Sequence, residues 1–242
     1  MNSAHFLDTL TLPLRRLPTQ CALCRGWARE RLCGPCIARF VTPTPRCRRC
    51  AIAVPDGVSL CGECLRHPPP FEHAIAAVDY AAPWNDLVRR FKFDAALDLA
   101  DALAQRLHDA IGRGAAPRPD LVLPVPLADE RMRERGFNQA WELARRIAPP
   151  LACESDARLL LRTKHTAHQL SLPPAERAAN VRGAFAIEPR SRHVLRGRRV
   201  ALVDDVMTTG ATLAEVARTL LQGGAASVQV WVLARTPRPE GA

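Results

Sequence analysis

The sequence predicts an α/β protein: a mainly parallel sheet with helices on both faces, preceded by a small cysteine-rich module. Apolar runs typical of strands alternate with helical patterns over residues 73–242, and such alternation favours a parallel sheet covered on both sides. Eight of the nine cysteines lie within residues 21–64. Two adjacent carboxylates, Asp204 and Asp205, follow an apolar run and precede a turn. The sequence therefore indicates a metal-binding part and a longer part with a polar site at a strand end.

The longer part contains four predicted strands and four predicted helices. Continuous apolar runs predict the strands, and apolar residues three and four positions apart predict the helices. The strands are expected over residues 74–78, 121–125, 199–203 and 227–233. The helices are expected over residues 84–93, 96–111, 137–147 and 211–221, with Gly223 and Gly224 ending the last one.

Proline composition places a boundary after the cysteines. Three consecutive prolines within residues 67–72 deny the backbone helical hydrogen bonds and favour a stiff linker. We therefore expect an N-terminal segment (1–20), a cysteine-rich module (21–66), a linker (67–72) and a sheet domain (73–242).

Composition excludes several classes of protein. Hydrophobic residues make up 48% and charged residues 24% of the chain, which argues against disorder and coiled coil. The longest apolar run, residues 121–128, is far shorter than the roughly 18 residues that span a bilayer. The first residues lack the features of a secretory signal, so we expect a cytoplasmic protein with no membrane span.

The chain is basic. Its formal net charge is +10 and its pI is near 9.8, and it stays basic even if its clustered thiolates bind two zinc ions. This charge permits nucleic acid, phosphorylated metabolites or acidic proteins as partners.

Four C-x-x-C pairs in a row predict two structural zinc sites. Each such turn brings two sulfurs to the spacing of a tetrahedral Zn²⁺, and two turns complete a closed site. Sequential pairing is the simplest arrangement, while crossed pairing remains open. The predicted ligands are Cys21, Cys24, Cys33 and Cys36 for one ion and Cys47, Cys50, Cys61 and Cys64 for the other.

Three other uses of these cysteines fit less well. Disulfides require an oxidising compartment, redox C-x-x-C motifs usually occur singly, and iron–sulfur sites have their own cysteine runs. His67 and His73 are not needed as ligands, and the isolated Cys153 is expected to be a small buried apolar residue.

The strongest functional pattern lies in residues 201–212. A buried strand ends in two carboxylates and passes through a Thr- and Gly-rich turn into a helix. Backbone N–H groups at a helix N-terminus bind phosphate, while carboxylates accept hydrogen bonds from sugar hydroxyls and attract Mg²⁺. The alternative is an ordinary turn in which Thr208 or Thr209 caps the helix and the acids are solvated.

These residues match the phosphoribosyl pyrophosphate signature of type I phosphoribosyltransferases, and the chain from Cys21 onward resembles the ComF (ComFC/GntX-like) family. Members of that family place a double zinc ribbon before a phosphoribosyltransferase-like domain. Two further stretches, residues 85–93 and 135–140, carry the resemblance. So does the group Gln169, Leu170, Arg177, Asn180, Gly183, Ala184 and Phe185.

The resemblance implies a site for phosphoribosyl pyrophosphate with Mg²⁺. The implied catalytic residues are Asp204, Asp205, Arg135 and Lys164. The implied ligand-binding residues are Asp204, Asp205, Met207, Thr208, Thr209, Gly210, Ala211, Thr212, Pro124, Val125, Asn138, Gln139, Gln169 and Arg177.

Several of these assignments have simpler alternatives. Arg131 and Arg133 are further candidates for pyrophosphate contact, or they belong to a solvated basic turn. Asn138 and Gln139 are polar ligands or merely begin a helix. Residues 162–174, which include Lys164, lack hydrophobic periodicity and are expected to form a lid.

Two functions remain open from the sequence. One is a Mg²⁺-dependent phosphoribosyltransferase whose acceptor the sequence does not specify. The other is a non-catalytic factor that binds single-stranded DNA or docks a protein and uses the phosphoribosyltransferase fold as a sensor. The resemblance links both to DNA uptake in natural transformation, with a DNA-uptake helicase or recombination protein as a partner.

Overall fold

The computed structural model describes residues 18–164 and 181–238. The chain divides into two compact units, Met1–Thr42 and Pro43–Ala242. The first four clustered cysteines belong to the first unit, and the next four share the second unit with the sheet.

The first unit is small. Strands β1 (Thr19–Gln20) and β2 (Trp27–Ala28) pair antiparallel, and helix α1 (Gly34–Phe40) follows with a proline in its first turn. A proline is favourable there because the first helical N–H groups have no intrahelical acceptor.

The second unit contains a five-stranded parallel sheet and a short hairpin. Its strands are β3 (His73–Asp79), β4 (Leu121–Pro124), β5 (Glu154–Ser155), β6 (Leu160–Arg162), β7 (Phe185–Ile187), β8 (Arg199–Met207) and β9 (Ser227–Arg235). The sheet order is β3-β9-β8-β4-β5, with every neighbouring pair parallel. Strands β6 and β7 form a separate antiparallel pair.

Helices lie on both faces of this sheet. The described helices of the second unit are α2 (Gly62–Arg66), α3 (Trp84–Phe93), α4 (Ala100–Arg113), α5 (Asp129–Arg135), α6 (Gln139–Ile147) and α7 (Ala211–Gln222), with 3₁₀ turns at Leu97–Leu99 and Pro189–Leu195. Helices α4 and α6 pack together against the sheet. Helix α7 and the β6–β7 hairpin share the other apolar core with alternate residues of β8 and β9. The predicted fold class is therefore confirmed.

The structure corrects the ends of several predicted elements. Strand β8 runs to Met207 rather than to residue 203, because Val232, Ala234 and Arg235 of β9 continue the ladder beside it. The helix predicted over residues 96–111 begins as a 3₁₀ turn, and the one predicted from residue 137 begins at Gln139.

Some elements were not predicted at all. Strands β5, β6 and β7 are two or three residues long, and helix α5 buries none of its residues, so neither gives an apolar periodicity. Phe71 of the predicted linker lies in the core. Cys153 is half-buried rather than buried, and its thiol donates to the Pro119 carbonyl. Among the described helices, none is long and apolar enough to cross a bilayer.

Candidate functional site

The two acidic residues lie inside strand β8, near its carboxyl end. Consecutive strand residues point to opposite faces of a sheet, so the two carboxylates are presented to different surroundings. Asp205 is only 3% exposed, and the Nζ atom of Lys92 lies 2.8 Å from its Oδ2 atom. Lys92 sits near the end of α3. Asp205 is therefore a buried carboxylate that is neutralised by one lysine.

Asp204 is surrounded by cations but remains a weak acid. Desolvation by the protein raises its pKa to about 6, while the charges of Lys92, Arg162 and Arg135 act in the opposite direction. Its Oδ1 atom accepts a hydrogen bond from the backbone N–H of Asp205 at 2.9 Å. Asp204 is therefore a carboxyl group that titrates close to neutral pH in a cationic pocket.

Lys92 is the complementary weak base. Burial, with the charges of Arg135 and Arg131, lowers its pKa to about 8, although Asp204 acts to raise it. The sequence carries a signal for this residue: Lys92 is one of only two lysines among 34 basic residues. A lysine ammonium is a compact charge that can lose its proton near neutral pH when it is buried, whereas an arginine guanidinium stays protonated.

The acids lead into a tight turn before helix α7, residues 208–210, called here the β8–α7 turn. Gly210 is the N-cap of α7 with a φ of 81°, a conformation that favours glycine. A Cβ at this position would lie 2.7 Å from the Cε atom of Met207. The N-cap is thus Gly210 and not Thr208 or Thr209, although the Thr209 hydroxyl accepts from the Ala211 N–H. The first backbone N–H groups of α7, at Ala211 and Thr212, directly follow the turn.

The loop after β4 is held beside this edge of the sheet. Pro124 ends β4 opposite Val203, and the Val125 N–H donates to the Val203 carbonyl. The side-chain amide of Asn138 donates to the Val125 carbonyl at 3.0 Å. Its oxygen accepts from the N–H groups of Ala140 and Trp141, which caps α6. Asn138 therefore both begins the helix and fixes the loop.

Arg135 stands at the end of α5 and reaches toward the acids. Its guanidinium lies 4.9 Å from the centre of the Phe93 ring and donates to the Oε1 atom of the buried Gln139 at 3.0 Å. Burial, first of all, and the charge of Arg131 lower its pKa. Arg133 on the same helix is exposed.

Lys164 does not face the acids in the described contacts. It is exposed, and its Nζ atom donates to the Arg182 carbonyl at 3.2 Å. The other predicted residues of this region, Gln169 and Arg177, lie outside the described residues, as does most of the predicted lid.

Arg235 was not singled out by sequence reasoning. It ends β9 and is only 8% exposed, and its guanidinium donates to the carbonyls of Met207, Thr208 and Thr236. Its Nε atom donates to the Cys50 carbonyl at 2.8 Å. A cavity of about 640 Å³ lies on this side of the turn, between Arg235, Gly210 and Cys61.

The eight clustered cysteines form two groups by sequential pairing. The first cysteine cluster contains Cys21, Cys24, Cys33 and Cys36, and the second contains Cys47, Cys50, Cys61 and Cys64. Within each cluster all sulfurs lie within 4.8 Å of one another. Tetrahedral zinc with Zn–S bonds of about 2.3 Å requires sulfurs roughly 3.8 Å apart. The Cys24–Cys33 and Cys50–Cys61 separations are 3.7 and 3.6 Å, so both clusters fit a zinc ion.

The first cysteine of each cluster is prepared as a thiolate. Burial acts to raise the pKa of Cys21 and Cys47, but backbone N–H donors lower it to about 6 and about 7. One such donor in each cluster is the N–H of Cys33 or Cys61. Because a thiolate is the form that binds metal, these donors favour metal binding at one sulfur of each cluster, whereas burial and the neighbouring sulfurs raise the pKa of Cys36, Cys50 and Cys64.

Comparison with known proteins identifies the family to which this chain belongs. The phosphoribosyl transferase domain family matches residues 94–242. The DNA utilization protein YhgH of Escherichia coli K12 is 36% identical over 231 residues, covering 91% of this chain and 98% of that protein.

Two competence proteins are also similar. Competence protein F of Haemophilus influenzae is 34% identical over 223 residues, covering 89% of this chain and 96% of its own. Competence protein ComFC of Bacillus subtilis is 31% identical over 158 residues, covering 63% and 62%. The chain belongs to the ComF family of phosphoribosyl transferase domain proteins.

Proposed function

We propose that this protein binds phosphoribosyl pyrophosphate with Mg²⁺ at the carboxyl end of β8. The observation that carries the proposal is the succession of the half-buried Asp204, the buried Asp205, a left-handed Gly210 turn and a helix N-terminus. In an open parallel sheet, ligands bind at the carboxyl ends of the strands. Cations surround the acids in a way that suits a ligand with several phosphate groups.

Each part of the ligand has a proposed partner. The 5-phosphate lies against the backbone N–H groups of Thr208, Thr209, Gly210, Ala211 and Thr212, because an N–H cradle at a helix N-terminus attracts anions. The ribose hydroxyls donate to Asp204 and Asp205. The pyrophosphate lies along the loop at Pro124 and Val125, near Arg135.

The remaining assignments complete the same site. Gln139 orients Arg135 through their 3.0 Å hydrogen bond, and Asn138 holds the Val125 carbonyl. Lys164, Gln169 and Arg177 are proposed to approach the pyrophosphate from the segment after β6.

The reaction that this site suits is transfer of the phosphoribosyl group. The bond from C1 of the ribose to the pyrophosphate oxygen breaks, pyrophosphate keeps the electron pair, and a lone pair of the acceptor forms the new bond to C1. Mg²⁺ would neutralise phosphate charge, and carboxylate and phosphate oxygens are its preferred ligands. The chain itself positions the sugar through Asp204 and Asp205 and stabilises the leaving group through Arg135.

We propose that both cysteine clusters hold structural zinc. Four sulfur ligands leave no open position for water, so the ions serve folding rather than catalysis. None of the nine cysteines, all of which lie in the described part of the chain, forms a disulfide, which suits the reducing cytoplasm, where we propose that the protein resides.

A second candidate function is binding of single-stranded DNA by the first unit. Trp27 on β2 is 74% exposed, and Arg25 and Arg29 beside it are also exposed. An aromatic ring flanked by cations can stack on a base and contact the strand's phosphates. The names of the competence and DNA utilization relatives agree with this role, in which a DNA-uptake helicase or recombination protein would be a partner.

A thermal-shift titration tests the proposed site. Phosphoribosyl pyrophosphate with Mg²⁺ should raise the melting temperature of the wild-type protein, and the double variant Asp204→Asn/Asp205→Asn should lose that shift. Asp120→Asn is the matched control, since Asp120 pairs with Arg199 at the other end of β8. An equal ligand-induced shift in the double variant would remove the site assignment.

A further inference from the structure

Arg235 connects the second cysteine cluster to the β8–α7 turn through one buried guanidinium. Its Nε atom reaches the Cys50 carbonyl at 2.8 Å, and its Nη1 atom reaches the Met207 carbonyl at 2.9 Å and also the Thr208 carbonyl. All four residues belong to the second unit. One side chain therefore holds the backbone of the cluster and the backbone of the turn together.

These contacts determine where the turn presents its N–H groups. In a planar trans peptide the C=O bond and the N–H bond point in opposite directions. A carbonyl of Met207 or Thr208 that points at Arg235 directs the N–H of the next residue away from it. Arg235 thereby orients the N–H groups of Thr208 and Thr209, which belong to the proposed phosphate cradle.

The charge of Arg235 lies beside the second cysteine cluster. Among the described residues, no carboxylate forms an ion pair with it. Four thiolates around one divalent ion carry a net negative charge, which would stabilise a guanidinium buried beside them. A second cluster without metal would lose that fixed charge and its fixed backbone.

We propose that Arg235 is a positioning residue that couples the second cysteine cluster to the β8–α7 turn, so that metal in the cluster and phosphoribosyl pyrophosphate at the turn strengthen each other's binding. The inference rests on the proposed function. Because such coupling is reciprocal, the ligand must stabilise the bound metal by the same factor by which the metal improves ligand binding.

Zinc release measures the coupling directly. The full-length variant Cys21→Ser/Cys24→Ser, which keeps the second cluster, is mixed with the chelating dye 4-(2-pyridylazo)resorcinol. Phosphoribosyl pyrophosphate with Mg²⁺ should slow zinc release about tenfold, within the usual range of coupling between sites. An unchanged release rate at saturating ligand would overturn the proposal.

Arg235→Lys tests the residue itself. Lysine keeps the charge but loses the planar fork that reaches several carbonyls at once. The variant should retain its zinc, bind the ligand about tenfold more weakly and show no ligand effect on zinc release. Arg199→Lys, at the opposite end of the sheet and exposed, should behave as wild type. Wild-type affinity in Arg235→Lys would overturn the assignment.

Hydrogen exchange separates this inference from the proposed function, because it needs no ligand. The amides of Thr208 and Thr209 should exchange faster in Arg235→Lys, and in wild type after zinc removal, than in zinc-loaded wild type. Equal rates would overturn the coupling even if the ligand binds. Faster rates in a protein that binds no phosphoribosyl pyrophosphate would support the positioning of the turn by Arg235 and the second cluster while contradicting the proposed function.

Discussion

The two cysteine clusters share the same motif but differ in how they are built into the molecule. The first lies in a small unit of its own, and its Cys24 is exposed. The second has three buried cysteines, shares an apolar cluster with Ile52 and lies in the unit that contains the sheet.

Several contacts attach the second cluster to the sheet. Arg46 donates to the Oδ1 atom of Asp79 at 2.8 Å, and the Ala74 N–H donates to the Arg48 carbonyl. Arg235 adds the contact with the Cys50 carbonyl. A repeated sequence motif thus serves two purposes: one copy folds a separate module, and the other belongs to the framework of the candidate site.

The largest expected effect comes from removing each cluster in turn. Structural zinc contributes about 10–16 kcal/mol in zinc-finger peptides, as much as the whole stability of an ordinary domain. Cys61→Ser/Cys64→Ser should therefore abolish cooperative unfolding of the sheet unit. Cys33→Ser/Cys36→Ser should leave its melting transition in place. Calorimetric melts of both full-length variants, with zinc content measured, test this expectation. Equal loss of the sheet unit's melting transition in both variants would show that the two clusters contribute equally to its stability.

The acid pair provides the next largest effect within the second unit. Asp205→Ala leaves the Lys92 ammonium buried without its partner, which typically costs about 3–5 kcal/mol. The double variant Lys92→Met/Asp205→Leu should recover much of that loss, because neither charge remains. Urea unfolding measures both variants. A double variant as unstable as Asp205→Ala would show that the charge pair is not the cause.

Trp27 tests whether the first unit has a binding role of its own. Trp27→Ala should weaken binding of a single-stranded oligonucleotide by about 1–3 kcal/mol, the usual value of one base–aromatic stack. Binding of phosphoribosyl pyrophosphate should not change. Fluorescence anisotropy at several salt concentrations measures the first quantity, with Phe40→Ala as a control in the same unit. Unchanged DNA affinity in Trp27→Ala would show that Trp27 does not stack on a base.

The smallest expected effect is a pH dependence that belongs to the second unit alone. The pKa of Asp204 is raised to about 6, so the carboxylate predominates above that pH and the neutral acid below it. Affinity for phosphoribosyl pyrophosphate should therefore fall as the pH drops through 6, by at most about tenfold per unit. Asp204→Asn should bind weakly without this dependence. The same profile in that variant would point to another group, including the ligand's own phosphates.

Much of the architecture could be predicted from the sequence, because apolar periodicity and turn residues act locally. Sequential cysteine pairing and the parallel sheet are confirmed on that basis. The extension of β8 could not be predicted, since Asp204 and Asp205 interrupt the apolar run and only the register with β9 keeps them in the strand.

The contacts that join distant segments at the site could not be predicted from the sequence. Nothing local indicates that Lys92 reaches Asp205, although its rarity among the arginines is a usable signal. The role of Arg235 depends on where β9 ends and where Cys50 lies in space. The different integration of the two cysteine clusters has no local signature either, because the spacing within every pair is the same.

Isothermal titration of the zinc-loaded protein with phosphoribosyl pyrophosphate and Mg²⁺, with and without a single-stranded oligonucleotide, is the most direct test of the proposed ligand site. We predict saturable binding of one ligand per chain that Asp204→Asn/Asp205→Asn abolishes. Absence of binding by the wild-type protein in both conditions, with its zinc in place, would contradict the proposed function.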